Sequence, residues 1–394
     1  MYQPAFELAD ILRRYAPAYR QSHRLLREQE RAIDAIVNCR TAALGGHVEE
    51  CCQCSYTRIS YNSCRNRHCP KCQSPARARW VEARRAELLP IEYFHVVFTL
   101  PEQIARIAYY NRKVVYDILF RATAHTLNTI ARDPKHLGAE IGFFAVLHTW
   151  GQNLLHHPHL HCVVPGGGLS PDGESWISCR PGFFLPVKVL SHLFRRLVLE
   201  QLQAAFGKGK LRFFGELEEL REPDRFAQYP APLKDAEWVV YAKAPFGGPL
   251  QVLDYLGRYT HRAALSNERL LEVKDGQITF QWKDYRSRSR EKSRVMTLES
   301  DEFIRRFLIH VLPRGFQRIR FFGLLANRNR KARLALSRRL LAAPMADLLP
   351  NPGDYRELRP VLNEESLPRC PICGKGEMVR VLTIPPALPF PDSS

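Results

Sequence analysis

Three histidines fall within one short span. His148 closes the run Phe143-Phe144-Ala145-Val146-Leu147-His148, and His159 and His161 stand one residue apart in His156-His157-Pro158-His159-Leu160-His161-Cys162-Val163-Val164. Residues two apart on a strand face the same side, so His159 and His161 project together, and the preceding apolar run can fold back beside them to add His148. Three imidazoles meeting at one point make a divalent-metal site that leaves positions open for substrate oxygens, which is what a catalytic ion requires. Burying two same-face imidazoles without a partner would be costly, and a metal would offset that cost. His156 and His157 read instead as hydrogen-bonded core or surface histidines.

A second group downstream could use such an ion. On a helix, Tyr255, Arg258, Tyr259 and Arg262 form one stripe, while Leu250, Leu253, Leu256 and Ala264 fall on the other side. The plain reading is an amphipathic helix with solvated arginines. The chemical reading is a pair of phenols among guanidiniums: a neighbouring cation favours phenolate, and a metal-polarised phosphodiester is open to its attack. Two tyrosines one turn apart could attack in succession.

The cysteines say metal of a different kind. Cys51-x2-Cys54 and Cys69-x2-Cys72 are two knuckles whose four thiolates predict a closed, structural zinc site. Cys39, His47, Cys64 and His68 remain in the same segment, for a second zinc or as alternative ligands, and spacing does not decide the pairing. Cys52 should point away. Cys370-Pro371-Ile372-Cys373 is a half-site, either a zinc corner completed by leftover N-terminal ligands or an unmetallated turn. Cys162 and Cys179 read as small buried hydrophobes.

These groups need elements to hold them, and 394 residues are enough for two or three domains. Residues 1–90 predict a helical and zinc-binding N-terminal domain, with helical spacing over 6–37 interrupted near Pro17. Residues 91–275 predict a central domain with strands at 94–100, 142–149, 160–165 and 238–242 and helices at 110–132, 187–206 and 249–260. Hairpin-paired strands with helices in the connections make the fold class α+β, an antiparallel sheet with helices packed on it. Gly166-Gly167-Gly168 marks a loop. Residues 276–345 predict a basic helical DNA-binding region, and 346–394 a CxxC segment ending in a disordered proline-rich tail. The net charge of +18 implies a polyanionic partner, DNA first. No apolar run approaches a membrane span and the N-terminus does not read as a signal peptide, so the expected location is the bacterial cytoplasm, at the nucleoid.

His159-Leu160-His161 with paired tyrosines resembles the histidine-hydrophobe-histidine endonucleases, which include rolling-circle replication initiators, relaxases and a class of transposases. More closely, the blocks 61–72 (YNSCRNRHCPKC), 148–164, 238–249 (WVVYAKAPFGGP), 255–262 (YLGRYTHR) and 303–325 resemble two-tyrosine rolling-circle transposases of the insertion-sequence-ninety-one type. The resemblance implies zinc in the N-terminal domain and nicking of single-stranded DNA at element ends. Tyrosine would become joined to the 5′ phosphate, with Mg²⁺ or Mn²⁺ as the ion. Residue by residue, His148, His159 and His161 would hold that ion and Tyr255 and Tyr259 would be the nucleophiles. Lys243, Arg258, Arg262, Arg318 and Arg320 are candidate DNA contacts, and Arg318-Ile319-Arg320-Phe321-Phe322 suits base stacking if it is not a core element. A replication initiator or relaxase would share the chemistry, although no GxxxxGK[ST] helicase loop is present. A zinc-stabilised DNA-binding regulator and a water-using hydrolase are the alternatives from other classes.

Overall fold

The computed structural model describes residues 6–85, 87–243, 251–252, 257, 263–284, 292–341 and 368–387. Its described helices are α1 (Leu8–Ser22), α2 (Arg27–Val37), α3 (Pro70–Arg85), α4 (Glu102–Tyr110), α5 (Arg112–Arg132), α6 (Val187–Gly207), α7 (Pro223–Gln228), α8 (Ser300–Leu308) and α9 (Arg330–Leu340). The strands are β1 (Gly46–Cys51), β2 (Thr57–Tyr61), β3 (Tyr93–Thr99), β4 (Gly142–Trp150), β5 (His156–Pro165), β6 (Gly167–Leu169), β7 (Trp176–Ser178) and β8 (Val240–Lys243), then β9 (Leu270–Lys274), β10 (Gln277–Lys283), β11 (Ser293–Glu299), β12 (Ile319–Gly323) and β13 (Met378–Ile384). The class is α+β.

The central sheet runs β12-β4-β5-β3-β8, every neighbour antiparallel. Its strands read as apolar runs because both faces are covered over much of their length. Side chains alternate between faces. One face carries Phe94, Val96, Phe98, Phe143, Ala145, Leu147, Leu160, Cys162 and Val164, which form the main core with residues of α4, α5 and α6. Register and alternation put His95, Phe144, Val146, His148, His159, His161 and Val163 on the other face. There Phe144, Val146 and Val163 lie under Val252, with Trp80 of α3 packed against the same cluster. Ile319 and Phe321 of β12 pack against that same cluster.

A second core joins segments far apart in sequence. Leu8, Ile11 and Leu12 of α1 and Ile33 and Ile36 of α2 pack with Ile278 and Phe280 of β10, Phe303 and Phe307 of α8, and Trp150 at the end of β4. The boundary expected near residue 275 therefore does not separate two bodies. Nor is 276–345 a helical region: it contains a hairpin, two short helices, and β12, an edge strand of the central sheet. The hairpin β9–β10 turns at Asp275 (φ 49°) and Gly276 (φ 79°), a turn whose twist matches that of the strands. Helix α1 continues through Pro17, since Leu12, Ala16 and Tyr19 are held in the core, and the chain breaks after Ser22 instead.

The segment expected as a separate C-terminal domain returns to the N-terminal one. β13 pairs antiparallel with β1, which pairs with β2, giving a three-stranded sheet in the order β13-β1-β2. Gly45 sits where a Cβ would strike the backbone of Ile384 and Pro385, and its φ of +67° suits only glycine well. Within the expected triple-glycine loop, Gly167–Leu169 forms β6, paired with β7.

Candidate metal centres and catalytic face

Strand register builds the histidine site. His148 on β4 stands opposite His159 on β5, and His161 lies two residues further along β5. The candidate ligand atoms of all three lie within 4.8 Å of one another. His159 Nδ1–H donates to the His157 carbonyl at 2.6 Å, which leaves Nε2 with its lone pair turned inward. That Nε2 is 3.1 Å from Nε2 of His161. Ligands about 2.1 Å from an octahedral ion stand roughly 3.0 Å apart when adjacent, so the spacing fits a divalent cation. Burial, then the His157 charge, lowers the His159 pKa to about 4, so the ring is neutral at pH 7, as a ligand must be. His148 stacks on Trp150 at 4.7 Å between centroids, which ties its ring to the second core.

One residue of this site was not singled out from the sequence. His95 on β3 places Nε2 2.8 Å from His161 Nδ1, the rings stacked at 5.0 Å and 11°. Its ring is buried, and burial, then the charge of Lys243, holds its pKa down to about 3. When His161 Nε2 faces an ion, His161 Nδ1–H donates to His95 Nε2, which sets the tautomer. The available signal was parity: a lone histidine in Phe94-His95-Val96-Val97-Phe98, out of phase with the apolar residues. Lys243 stands opposite His95 in the β3–β8 register, on the face of the sheet that carries the histidine cluster.

Tyr255, Arg258, Tyr259 and Arg262 lie outside the described residues. Their described neighbours are placed: Val252 is buried against Phe144, Val146 and Val163, and a Cβ on Gly257 would come within 2.7 Å of Arg77 Nε and 2.9 Å of Val81 Cγ2 on α3.

Arg318 and Arg320 are not surface cations. Arg318 is buried, and desolvation lowers its pKa to about 10. Arg320 pairs with Asp117 at 2.6 Å and lies over the Phe120 ring at 4.1 Å. Phe322 stacks on Phe143 at 4.9 Å and packs against the main core. The segment alternates into a half-buried strand, so packing takes the residues that base stacking would need.

The cysteines pair differently from the expectation. The two N-terminal knuckles do not share a site: Cys39, Cys64, Cys69 and Cys72 form one cluster, and Cys51, Cys54, Cys370 and Cys373 another. The antiparallel closure of β13 on β1 brings the C-terminal half-site to Cys51, which no spacing rule could reveal. The Sγ atoms of Cys39 and Cys72 are 3.5 Å apart, Cys64 and Cys72 3.6 Å, Cys51 and Cys373 3.7 Å, and Cys54 and Cys370 3.6 Å. Thiolates about 2.3 Å from a tetrahedral zinc stand roughly 3.8 Å apart. Residues after four of these cysteines take left-handed backbone, Arg40 (φ 58°), Ser55 (φ 55°), Arg65 (φ 53°) and Gly374 (φ 65°), as tight turns around a ligand sulfur demand. Backbone N–H groups of Gln53, Asn66, Ile372 and Gly376 donate to the sulfurs of Cys51, Cys64, Cys370 and Cys373. The thiols cannot all ionise together without a cation: Cys64 drags the Cys39 pKa down to about 7 while its own is pushed up against Cys39.

His47 and His68 belong to neither cluster. His47 Nε2 is 3.0 Å from Glu49 Oε1 in an ion-pair geometry shared with Arg58. His68 is buried and its Nε2 accepts from the Leu312 N–H at 3.4 Å, so its lone pair is used. Cys52 points away, its sulfur taking the Glu377 N–H at 3.3 Å. His156 is hydrogen-bonded in the core, 2.8 Å from the Tyr116 hydroxyl and donating Nδ1–H to the Ala105 carbonyl.

An antiparallel sheet carrying three clustered histidines, joined to two four-cysteine clusters, defines a protein with three candidate metal sites among its described residues. Residues 11–100 match the family model described as "Transposase zinc-binding domain", and residues 142–333 match one described as "Putative transposase". Over 378 residues the chain is 63% identical to "Putative transposase y4qJ" of Sinorhizobium fredii, covering 95% of this chain and 94% of that protein. It is 28% identical over 299 residues to the transposase for insertion sequence element IS801 of Pseudomonas savastanoi pv. phaseolicola, covering 75% and 70%. The chain belongs to the transposases of the IS91 type, with a structural zinc-binding domain. Among its described residues no helix is long and apolar enough to cross a membrane.

Proposed function

We propose that this transposase nicks and rejoins single-stranded DNA at the ends of its element, with tyrosine as nucleophile and a 5′-phosphotyrosine intermediate. The observation that carries the reading is the inward convergence of His148, His159 and His161 on the sheet face that also receives Val252, three residues before Tyr255. In the reaction a tyrosine Oη attacks the scissile phosphorus, the bond from phosphorus to the 3′ oxygen breaks, and that oxygen leaves as a 3′ hydroxyl after taking a proton. Attack by the 3′ hydroxyl of another strand on the phosphotyrosine reverses the step and joins DNA. Mg²⁺ or Mn²⁺ held by the three imidazoles would withdraw charge from the non-bridging phosphate oxygens and favour attack. His95 keeps His161 in the ligating tautomer, and Trp150 holds the His148 ring. Lys243, beside His95, would contact a phosphate, with Arg258 and Arg262 doing so from the tyrosine segment. Tyr255 and Tyr259 would serve the two strand ends in turn.

The test is covalent capture. Full-length protein with Mn²⁺ and labelled oligonucleotides spanning the element ends should give a protease-sensitive adduct, lost in Tyr255→Phe/Tyr259→Phe. Cleavage that leaves protein-free 5′ ends and ignores both substitutions would instead mean water is the nucleophile.

A further inference from the structure

A groove of about 710 Å³ lies between β2 and the Cys64 turn, outside the histidine site, lined by residues that include Arg40, Ile59, Tyr61 and Arg65. Arg40 and Arg65 each directly follow a cysteine of the same cluster, and each takes the left-handed conformation that its turn requires. The zinc-cluster turns thereby place two guanidiniums on one rim. Among the described residues no carboxylate lines the groove. Among the described residues neither arginine makes an ion pair, and Arg40 donates at 3.5 Å to the Lys71 carbonyl, whereas Arg58 on β2, next to Ile59, is held by Glu49 at 2.6 Å. Tyr61 is 37% exposed and Ile59 54% exposed, both on the same side of β2. Leu382, 60% exposed, continues that surface across Val48 of β1.

Two cations with no compensating acid, next to an exposed phenol and aliphatic surface, match an unpaired nucleic-acid strand. The guanidiniums suit phosphates, and Tyr61 offers a ring to a base that is not already stacked in a duplex. We propose that this groove on the zinc module is a binding track for single-stranded DNA, distinct from the strand held at the histidines. Placed there, it would keep hold of DNA independently of cleavage.

The proposal does not depend on the cleavage chemistry, and its test reads binding alone. The probe is a fluorescein-labelled oligo(dT) of about 20 nucleotides, long enough to span such a site, titrated by anisotropy against the full-length zinc-loaded protein over a range of salt. Arg40→Gln/Arg65→Gln should weaken binding at least tenfold and reduce the slope of log affinity against log salt by about 1.4, two phosphate contacts at roughly 0.7 each. Tyr61→Ala should weaken it roughly tenfold, with Tyr61→Phe restoring most of the loss because the ring suffices for stacking. Zinc content and thermal midpoint, unchanged from the parent, show that each variant is folded. Arg132→Gln/Arg221→Gln, at residues that do not line the groove, should change little. Unchanged affinity and slope in the groove variants would overturn the proposal, as would an equal loss in the remote pair or a preference for duplex of the same length. A groove-dependent change in self-association without a change in DNA affinity would assign the surface to a second copy instead.

Discussion

His95 lies outside the three-histidine cluster, yet its Nε2 is 2.8 Å from His161 Nδ1, so an ion at His161 Nε2 would leave Nδ1–H to donate to His95. Such outer partners change metal affinity by about 10–100-fold in metalloenzymes. His95→Ala should weaken Mn²⁺ binding by a factor in that range, read by calorimetry on the DNA-free protein. His95→Gln, which retains a hydrogen-bonding side chain of similar reach, should recover part of it. An unchanged Mn²⁺ affinity in His95→Ala would remove His95 from the site. The same reasoning at residue scale applies to Arg318 and Arg320, whose intramolecular surroundings compete with any contact to DNA. An Arg-rich run looks cationic in sequence, but Arg320 spends its charge on Asp117 and its planar face on Phe120.

At the scale of elements, the informative unit is the three-stranded sheet β13-β1-β2. Its cysteine cluster draws Cys51 from the end of β1, Cys54 from the turn after it and two more cysteines from the turn before β13, so neither pair can complete a site alone. Cys373→Ser should therefore remove one zinc and leave the other, and Cys69→Ser should remove the other. Native mass spectrometry should show two ions per chain in the parent and one in each variant. If Cys69→Ser emptied both sites, or Cys373→Ser neither, the pairing would be wrong. The first cluster has a further consequence for the nuclease sheet. Arg67, two residues before Cys69, donates to the carbonyls of Pro313 at 2.9 Å and Phe316 at 2.6 Å, and that loop leads into β12, the neighbour of the His148 strand.

Across the whole molecule, two cores meet at the end of β4, and buried histidines stand at the junction. His310 Nε2–H donates to the Leu154 carbonyl at 3.0 Å, its Nδ1 lies 3.1 Å from the Thr149 hydroxyl, and its ring is stacked near His156. Burial lowers the pKa of each from 6.5 to about 3. The unfolded chain therefore binds more protons than the folded one between those values, so stability rises with pH across that window. It is fully present above pH 6.5 and lost as pH falls toward 3, at up to about 1.4 kcal/mol per histidine for each pH unit. Urea midpoints should drop between pH 7 and pH 5, by less in His310→Gln than in the parent. Equal pH slopes in the two proteins would show that His310 is not a source of the effect.

The candidate metal-binding groups were legible in residue types and in period-two spacing. His159 and His161 face one way because strands alternate, His148 follows because a hairpin folds its strand alongside, and the CxxC pairs announce zinc wherever they end up. The α+β class and most strands and helices of the central sheet were legible for the same local reason. Partner choice between distant segments was not. Cys370 and Cys373 reach Cys51 and Cys54 only through the pairing of β13 with β1, and Cys39 and Cys64 join Cys69 and Cys72 only when α2, β2 and α3 pack. His95 becomes a partner of His161 only through the β3–β5 register. Local propensity and spacing act within a few residues, so the sequence by itself determined which groups could bind metal and DNA. Long-range strand pairing and burial, which depend on the whole chain closing at once, decided which groups meet and which arginines are drawn into the core.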